Sequence, residues 1–226
     1  MRMRRWLDPW LLRQSKRRSR QGLYEFLERE YSAIPRQADV LSIGAGGEVN
    51  DLLLNVAKRN GFKVTTFDID VARGPDIVGD ICSYDFGGRQ FDVVVISEVL
   101  EHLTEPSLGL KTIHGILKDD GKLVLSTPFI LPLHDRPNDY FRFTRYGLEL
   151  LLQDFRNVRV QERNSYFEAI DVLWVRLLIE NGSSAKLASY FIIPFIFYIK
   201  RPLTVLLSKL VQTDAMTTGY VVTAVK

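Results

Sequence analysis

The chain has 226 residues, 46% of them hydrophobic and 25% charged, with a formal net charge of +3. This length and composition are sufficient for one α/β domain with a full buried core. The single cysteine, Cys82, excludes an internal disulfide and a zinc site built on cysteines, and it indicates a reducing, cytoplasmic location.

The first 20 residues form a basic arm, in which eight Arg or Lys residues accompany one acid, Asp8. Trp6 and Trp10 lie among these cations together with three leucines. The pattern predicts attachment to an anionic membrane surface, because tryptophan flanked by leucine suits lipid headgroups better than the phosphates of a nucleic acid. Packing of both tryptophans on the domain is an equally weighted alternative. We assign residues 1–35 to this arm and a following helix, and residues 36–226 to the main domain.

A buried strand is predicted over Asp39–Ile43, and a helix with apolar residues at helical spacing over Glu48–Lys58. Glycine in the turn between them allows a ligand to approach the bare backbone where the helix begins, which is typical of nucleotide-type cofactor sites. The turn alone is weak evidence, because G-x-G also occurs in ordinary tight turns. It consists of Gly44, Ala45, Gly46 and Gly47.

The second predicted strand, Lys63–Phe67, ends in Asp68, 24 positions after Gly44. Doubly wound folds place the carboxylate that binds a ribose diol at this position. Asp70 is the alternative ribose ligand, and we favour Asp68 because it lies at the carboxyl end of the strand. A dinucleotide site is disfavoured, because Val49 stands where the dehydrogenase fingerprint has a small residue.

Three further strands are predicted over Ile77–Ile81, over Phe91–Ser97 and within Lys118–Pro128. The fourth strand with its continuation, FDVVVISEVLEHL, and the fifth, DDGKLVLSTP, resemble the class I S-adenosylmethionine-dependent methyltransferases in order and spacing. The resemblance covers residues 39–163 and the final strand. It implies an α/β fold with a doubly wound, seven-stranded Rossmann-like sheet, an antiparallel last strand and an N-terminal helix. It also implies an enzyme that uses S-adenosylmethionine.

The same resemblance assigns the cofactor site. The glycine turn would lie under the methionine part of the cofactor, and Asp68 would bind the ribose hydroxyls. Asp80 and Ile81 would meet the adenine, although Asp80 as a turn cap is the alternative. Ile69 and Ser97, at the ends of the second and fourth strands, complete the predicted set.

A loop after the fifth strand carries the candidate catalytic groups. His134 is predicted to remove the proton of the acceptor hydroxyl, because an unperturbed imidazole has a pKa of about 6.5. Asp139 or Asp135 would hold its tautomer, and Tyr140 would shape the acceptor pocket. The alternative for His134 is a loop histidine hydrogen-bonded to a backbone carbonyl. Arg142 is expected to brace the loop by pairing with Asp139.

The loop pattern PF…H-x-x-P-x-D-Y-x-R-F-T resembles methyltransferases found with bacterial surface-polysaccharide and glycolipid pathways. This resemblance implies O-methylation of a sugar or glycolipid hydroxyl. One alternative is a membrane-associated lipid or quinone O-methyltransferase. Another, from a different class, is a non-catalytic membrane scaffold that has lost the cofactor.

A metal site is a further hypothesis. Glu98, Glu101 and His102 would lie near one face at a helix start, and His134 could complete a site for a divalent cation. A similar string binds such a metal in small-RNA and ubiquinone-pathway O-methyltransferases, whereas many relatives with the string EVLEH need none. We favour catalysis without metal and leave the metal ligands unassigned.

The sixth predicted strand, Val158–Arg163, is separated by some 55 residues from the last strand, Gly219–Val225, where the family usually has a short hairpin. We assign residues 164–217 to a helical insertion. Its residues 187–199 are 13 positions without a charge, short of the roughly 20 that cross a bilayer, and two prolines disfavour one continuous span.

Four roles are open for this insertion: an interfacial or re-entrant membrane element, a lid over a lipidic substrate, a subunit interface, or helices that cap the sheet edge. Together with the basic arm, it predicts a cytoplasmic protein attached peripherally to the inner face of the membrane. The oligomeric state is undetermined by the sequence.

Overall fold

The computed structural model describes residues 20–180 and 182–226, and for residues 179, 180 and 182–187 it describes the backbone alone. All of the predicted basic arm except Arg20 therefore lies outside the described residues. Contacts divide the chain into two compact units. The sheet unit comprises Leu23–Phe129, Leu133–Gln161 and Gly219–Lys226, and the helical unit comprises Glu162–Thr218 with short flanking segments.

The seven strands are β1 (Asp39–Ile43), β2 (Lys63–Asp68), β3 (Ile77–Val78), β4 (Phe91–Ser97), β5 (Leu117–Pro128), β6 (Arg156–Glu162) and β7 (Gly219–Val225). The helices are α1 (Gln21–Ser32), α2 (Gly47–Asn60), α3 (Pro106–Ile116), α4 (Arg145–Leu151), α5 (Tyr166–Glu180), α6 (Gly182–Pro194) and α7 (Arg201–Leu210). Thr144 caps α4 as its sequence position suggests, because its hydroxyl accepts a hydrogen bond from the Gly147 amide at 3.0 Å.

The strand order is β3-β2-β1-β4-β5-β7-β6. Strands β1 to β5 are joined by parallel pairings, and β7 runs antiparallel to β5. This is the predicted doubly wound sheet with a reversed last strand. The order changes direction between β1 and β4, and ligands of open α/β sheets bind at the carboxyl ends of the strands at such a point.

The core of the sheet unit lies on both faces of the sheet, because successive residues of a strand point to opposite sides. Leu41 and Val94 pack on one face with residues of α3 and α4. Val40 and Val93, their neighbours along the same strands, pack on the other face with residues of α1 and α2.

Two predicted elements differ from the structure. The third strand ends at Val78 rather than Ile81, because Asp80 starts a turn in which its Oδ1 accepts a hydrogen bond from the Cys82 amide at 2.9 Å. The segment after β4 is a single 3-10 turn, Leu100–His102, preceded by Glu98 at a positive φ of 56°. It is therefore not the predicted helix start.

The helical unit contains α5, α6, a π-helical turn (Phe195–Lys200) and α7. The two prolines, which we expected to disfavour one continuous span, do not interrupt the helix. Pro194 lies at the junction with the π-helical turn, and Pro202 lies in the first turn of α7, where a missing amide N–H costs little. Among the described residues, the resulting helix Ala188–Leu210 is long and apolar enough to cross a membrane, judged by length and composition only.

Candidate functional site

A cavity of about 520 Å³ opens at the carboxyl ends of β1, β2 and β4 in the sheet unit. Its volume lies within the range typical of small-molecule sites. One part is lined by the ends of β1 and β2 and the segment after β3, and the other by the segment after β4 and the acceptor loop. The predicted cofactor and acceptor ends therefore belong to one cavity.

The glycine turn has the geometry that its sequence predicts. Gly44 has a φ of +94°, and a Cβ there would lie 2.5 Å from a methyl group of Val99, so both backbone and space require glycine. Gly46 is the N-cap of α2, and Gly47 has a φ of +79°. The turn leaves bare backbone beside the cavity, which suits close approach of a ligand.

Asn50 holds this turn and was missed by the sequence analysis. Its side-chain amide donates to the Ala45 carbonyl at 3.0 Å, and its Oδ1 accepts from the Ser42 hydroxyl at 2.9 Å. Asn50 is buried at 6% exposure. The signal available in the sequence was a polar residue, one turn into the helix, on a face that is otherwise apolar.

Asp68 lines the cavity at the end of β2 and is also buried. Its Oδ2 accepts from the Ala45 amide at 2.8 Å, and its Oδ1 accepts from the Asp70 amide at 2.9 Å. Oδ2 also accepts from Arg73 Nη1 at 3.4 Å, whereas Oδ1 keeps a second lone pair that can accept from a ribose hydroxyl. Asp70 instead accepts from the Ala72 amide at 2.9 Å and caps a 3-10 turn.

The other predicted cofactor residues fall into two groups. Ile69, Asp80 and Ile81 line the cavity with Gly44 and Asp68. Ser97 is not part of that lining, and its hydroxyl instead lies 2.6 Å from the Ser126 hydroxyl. Ala45, Gly46 and Gly47 also lie outside the lining and act through the shape of the turn. The glycine turn and the carboxylate beside it fit S-adenosylmethionine.

At the predicted acceptor end, most of the lining side chains are polar, and the apolar ones are Val99 and Leu103. The polar ones include Glu98, His102, Asp135, Asn138 and Tyr140. The hydroxyl of Tyr140 donates to Asn138 Oδ1 at 3.0 Å, and Tyr140 is 47% exposed. The structure therefore places the predicted Tyr140 at the acceptor end of the cavity.

His134 lies between two carboxylates and is 34% exposed. It is not itself part of the cavity lining, but its ring centroid lies 5.1 Å from that of His102, which is. Its Nδ1 lies 3.3 Å from Asp139 Oδ2, and its Nε2 lies 3.7 Å from Glu101 Oε1. Glu101 raises the pKa of His134, and Asp139 adds to this effect. Because burial also penalises the charged imidazole, the net increase depends on both carboxylates.

Asp139 lies beside His134, the residue whose tautomer it is predicted to hold. Arg142 donates to both of its oxygens, at 2.5 and 2.7 Å, which confirms the expected brace. This ion pair lowers the pKa of Asp139 to about 2. Asp139 also accepts from the backbone amide of His134 at 3.0 Å, so it fixes both the loop and the imidazole.

Glu101 is the buried centre of the site, a role that the sequence did not reveal. Its backbone carbonyl accepts from the amides of Tyr140 and Phe141, and its Oε2 accepts from the Thr127 hydroxyl at 3.2 Å. Oε1 has no hydrogen-bond partner among the described residues. Complete burial raises the pKa of Glu101, because it disfavours the charged carboxylate.

Three of the four hypothetical metal ligands come together. Glu101, His102 and His134 each offer one ligand atom, and these atoms lie within 4.8 Å of one another. His102 Nδ1 lies 2.7 Å from the Asn138 carbonyl, so Nδ1 carries the proton and Nε2 presents a lone pair. The Glu101 oxygen that lacks a hydrogen-bond partner and one ring nitrogen each of His102 and His134 fit a divalent cation. Glu98 is not in the cluster, and its Oε1 accepts from the Ser126 hydroxyl at 3.0 Å.

The doubly wound sheet with its reversed last strand, together with the cavity at its switch point, defines the class I S-adenosylmethionine-dependent methyltransferase architecture. A family model described as a methyltransferase domain matches residues 11–171. The chain therefore belongs to this methyltransferase domain family.

Known proteins agree with this assignment. The chain is 29% identical over 131 residues to a ubiquinone biosynthesis O-methyltransferase of Pseudomonas aeruginosa, which covers 50% of this chain and 52% of the relative. It thus spans about half the length of the curated relatives that it matches.

Two solved structures show the same fold. A SAM-dependent methyltransferase from Archaeoglobus fulgidus matches with a TM-score of 0.59 and 18% identity, covering 92% of this chain and 94% of that protein. Phosphoethanolamine N-methyltransferase 2 of Haemonchus contortus, in complex with S-adenosyl-L-methionine, matches with a TM-score of 0.58 and 18% identity, covering 91% and 52%.

Proposed function

We propose that this methyltransferase acts on a small-molecule acceptor and methylates a hydroxyl of a sugar, either free or as the headgroup of a glycolipid. The observation that supports this proposal is the polar acceptor end of the cavity. Carboxylate, imidazole, amide and phenol groups line it, and a sugar with several hydroxyls can donate to or accept from each of them.

S-adenosylmethionine supplies a methyl group on a positively charged sulfur. The protein must then align the acceptor oxygen with that methyl group and remove the hydroxyl proton. We assign proton removal to neutral His134, whose Nε2 lies 3.7 Å from Glu101 Oε1. Asp139 orients the imidazole through Nδ1, and Glu101 stabilises the imidazolium that forms.

A second candidate is O-methylation of a quinone precursor. The Pseudomonas aeruginosa relative, a ubiquinone biosynthesis enzyme, favours it. A phenolic hydroxyl is more acidic than a sugar hydroxyl and depends less on a base, so the two acceptors place different demands on His134.

An assay with radiolabelled S-adenosylmethionine separates these acceptors. We expect label to pass to glycolipids or free sugars, and phenolic quinone precursors to accept at least tenfold less. The matched control is the same glycolipid with its sugar hydroxyls already methylated, which should accept no label. Transfer to phenols alone would replace the sugar assignment with the quinone one.

We expect catalysis to be independent of metal, although the cluster of Glu101, His102 and His134 can hold a cation. Turnover should then be unchanged after treatment with a chelator. The same assay after adding back Mg²⁺, Mn²⁺ or Zn²⁺ provides the control. A loss of turnover with the chelator that one of these ions restores would assign His134 to metal binding instead of proton removal.

A further inference from the structure

One face of the long helix in the helical unit is apolar and exposed. The helix Ala188–Leu210 has 23 residues and a mean hydropathy of 1.5, and only 17% of its apolar window is buried. Large apolar side chains recur on it every three or four positions, which places them along one side of a helix. We call this set the apolar stripe; it consists of Phe191, Phe195, Tyr198, Ile199, Leu203, Leu206 and Leu210.

The opposite side of the helix is packed against protein. Ile193 and Ile196 are buried in a cluster with Val175 and Leu178 of α5. Ser189 and Thr204 are buried as well. The helix therefore has one face in the protein core of its unit and one face outside, rather than apolar contacts all around.

The cations in the middle of the helix are held by protein groups. Lys200 pairs with Asp171 of α5, and Thr204 donates to the same carboxylate at 2.7 Å. Arg201 donates to Gln21 Oε1 at 3.2 Å. The carboxylate of Asp171 neutralises Lys200, whereas Arg201 keeps its charge, because Gln21 is neutral. Lys209 in the last turn of the helix is exposed, and a long cationic side chain there can keep its ammonium among lipid headgroups.

A lipid surface fits this face best. The helix is about 35 Å long at 1.5 Å per residue, and Phe191, Ile199 and Leu210 are each 68–74% exposed, so the stripe forms a patch of the kind that marks an interaction site. The contact of Arg201 with Gln21 places the residue that follows the basic arm beside this helix. Eight cations in residues 1–20 complement anionic lipid headgroups.

We infer that the helical unit inserts the apolar stripe into the interfacial region of an anionic bilayer, with the helix axis in the plane of the membrane. A helix with one face packed on protein and the other apolar and exposed buries only the exposed face in the membrane, at the boundary between headgroups and acyl chains. This surface is independent of the acceptor proposed above, and its test does not involve catalysis.

Flotation with vesicles of phosphatidylcholine and phosphatidylglycerol tests the attachment. The full-length protein should float at low salt and still float at about 1 M salt, where charges are screened within about 3 Å. Replacing Phe191 and Ile199 together with glutamate should lower the vesicle-bound fraction at high salt at least tenfold, because both side chains would lose their burial in lipid. Both are exposed, so the fold should be unaffected.

The matched control replaces Tyr146 and Leu150 with glutamate. These residues are 75% and 68% exposed on α4 of the sheet unit, so the control makes the same change of charge and apolar area elsewhere. The control should float like the unaltered protein. Equal flotation of the stripe variant and the control, or release of the unaltered protein by high salt, would overturn the inference.

Depth is tested by placing a single tryptophan at Phe195 after replacing Trp6, Trp10 and Trp174 with phenylalanine. Lipids brominated near the headgroup should quench its fluorescence more strongly than lipids brominated near the chain end. Stronger quenching by deep bromines would indicate a spanning helix and overturn the in-plane orientation. If the protein instead sediments as a dimer that the stripe substitutions dissociate and does not float, a second copy covers the stripe and the inference is wrong.

Discussion

Replacing His134 with glutamine is expected to lower turnover about 100-fold and to leave the affinity for S-adenosylmethionine nearly unchanged. Removal of a general base typically costs 10²- to 10⁴-fold, and glutamine keeps the size and polarity of the side chain. Cofactor affinity should persist, because Gly44 and Asp68 line the cavity and His134 does not. Initial rates and calorimetric titration of the cofactor measure the two quantities separately.

The dependence of kcat/KM on pH makes this prediction more specific. The base must be neutral, and Glu101 and Asp139 raise the pKa of His134 above its ordinary value of about 6.5. Activity should therefore fall as the pH decreases through that raised pKa, and the glutamine variant should lack this acidic limb. His114→Gln, a change on α3 outside the cavity lining, serves as the control and should behave like the unaltered enzyme. Unchanged turnover in His134→Gln, or equal losses of turnover and cofactor binding, would contradict the assigned role.

Replacing Asp68 with asparagine should weaken S-adenosylmethionine binding by about 10- to 100-fold. A hydrogen bond to a charged group contributes roughly 1.5–3 kcal/mol, and about 1.4 kcal/mol corresponds to a factor of ten. In Asp68→Asn the glycine turn should also loosen. The two oxygens of Asp68 accept from the Ala45 and Asp70 amides, whereas asparagine has only one acceptor oxygen and so loses one of these bonds. Calorimetry measures the dissociation constant, and thermal unfolding shows whether the fold persists.

Asp70→Asn is the matched control for this change. Asp70 lies two residues away and is half exposed, and its side chain caps a short 3-10 turn. The affinity of the Asp70→Asn variant for S-adenosylmethionine should change less than threefold, since the amide oxygen of asparagine also accepts hydrogen bonds at caps. A larger loss in Asp70→Asn than in Asp68→Asn would make Asp70 the ribose ligand.

Much of the sheet unit could be predicted from local sequence. The buried strand Asp39–Ile43, the glycine turn after it and the last strand Gly219–Val225 have the bounds that their patterns indicate. Periodicity and glycine are local properties, and a parallel buried strand needs little beyond a continuous apolar run. The brace between Asp139 and Arg142 was also predictable, because the two residues are three positions apart.

The centre of the acceptor site could not be predicted in the same way. Glu101 looked like one of several acids in a helix start, yet the chain buries it completely beneath a loop more than thirty residues later. Its burial, and its distances to His102 and His134, depend on how β5 and the acceptor loop pack. A sequence pattern carries no information about that desolvation, which is what perturbs the pKa of a buried carboxyl group.

The sequence by itself therefore determined the strand pattern and the position of the glycine turn, because both follow from spacing and backbone requirements over short stretches. The fold class and the cofactor were indicated by the resemblance of its motifs to a known family. Tertiary structure alone decided two other features: the three-residue cluster around Glu101 and the continuous helix through Pro194 and Pro202. The physical reason is the same in each case. Burial, hydrogen-bond satisfaction and the exposed face of a helix are set by residues distant in sequence that become neighbours only in the folded chain.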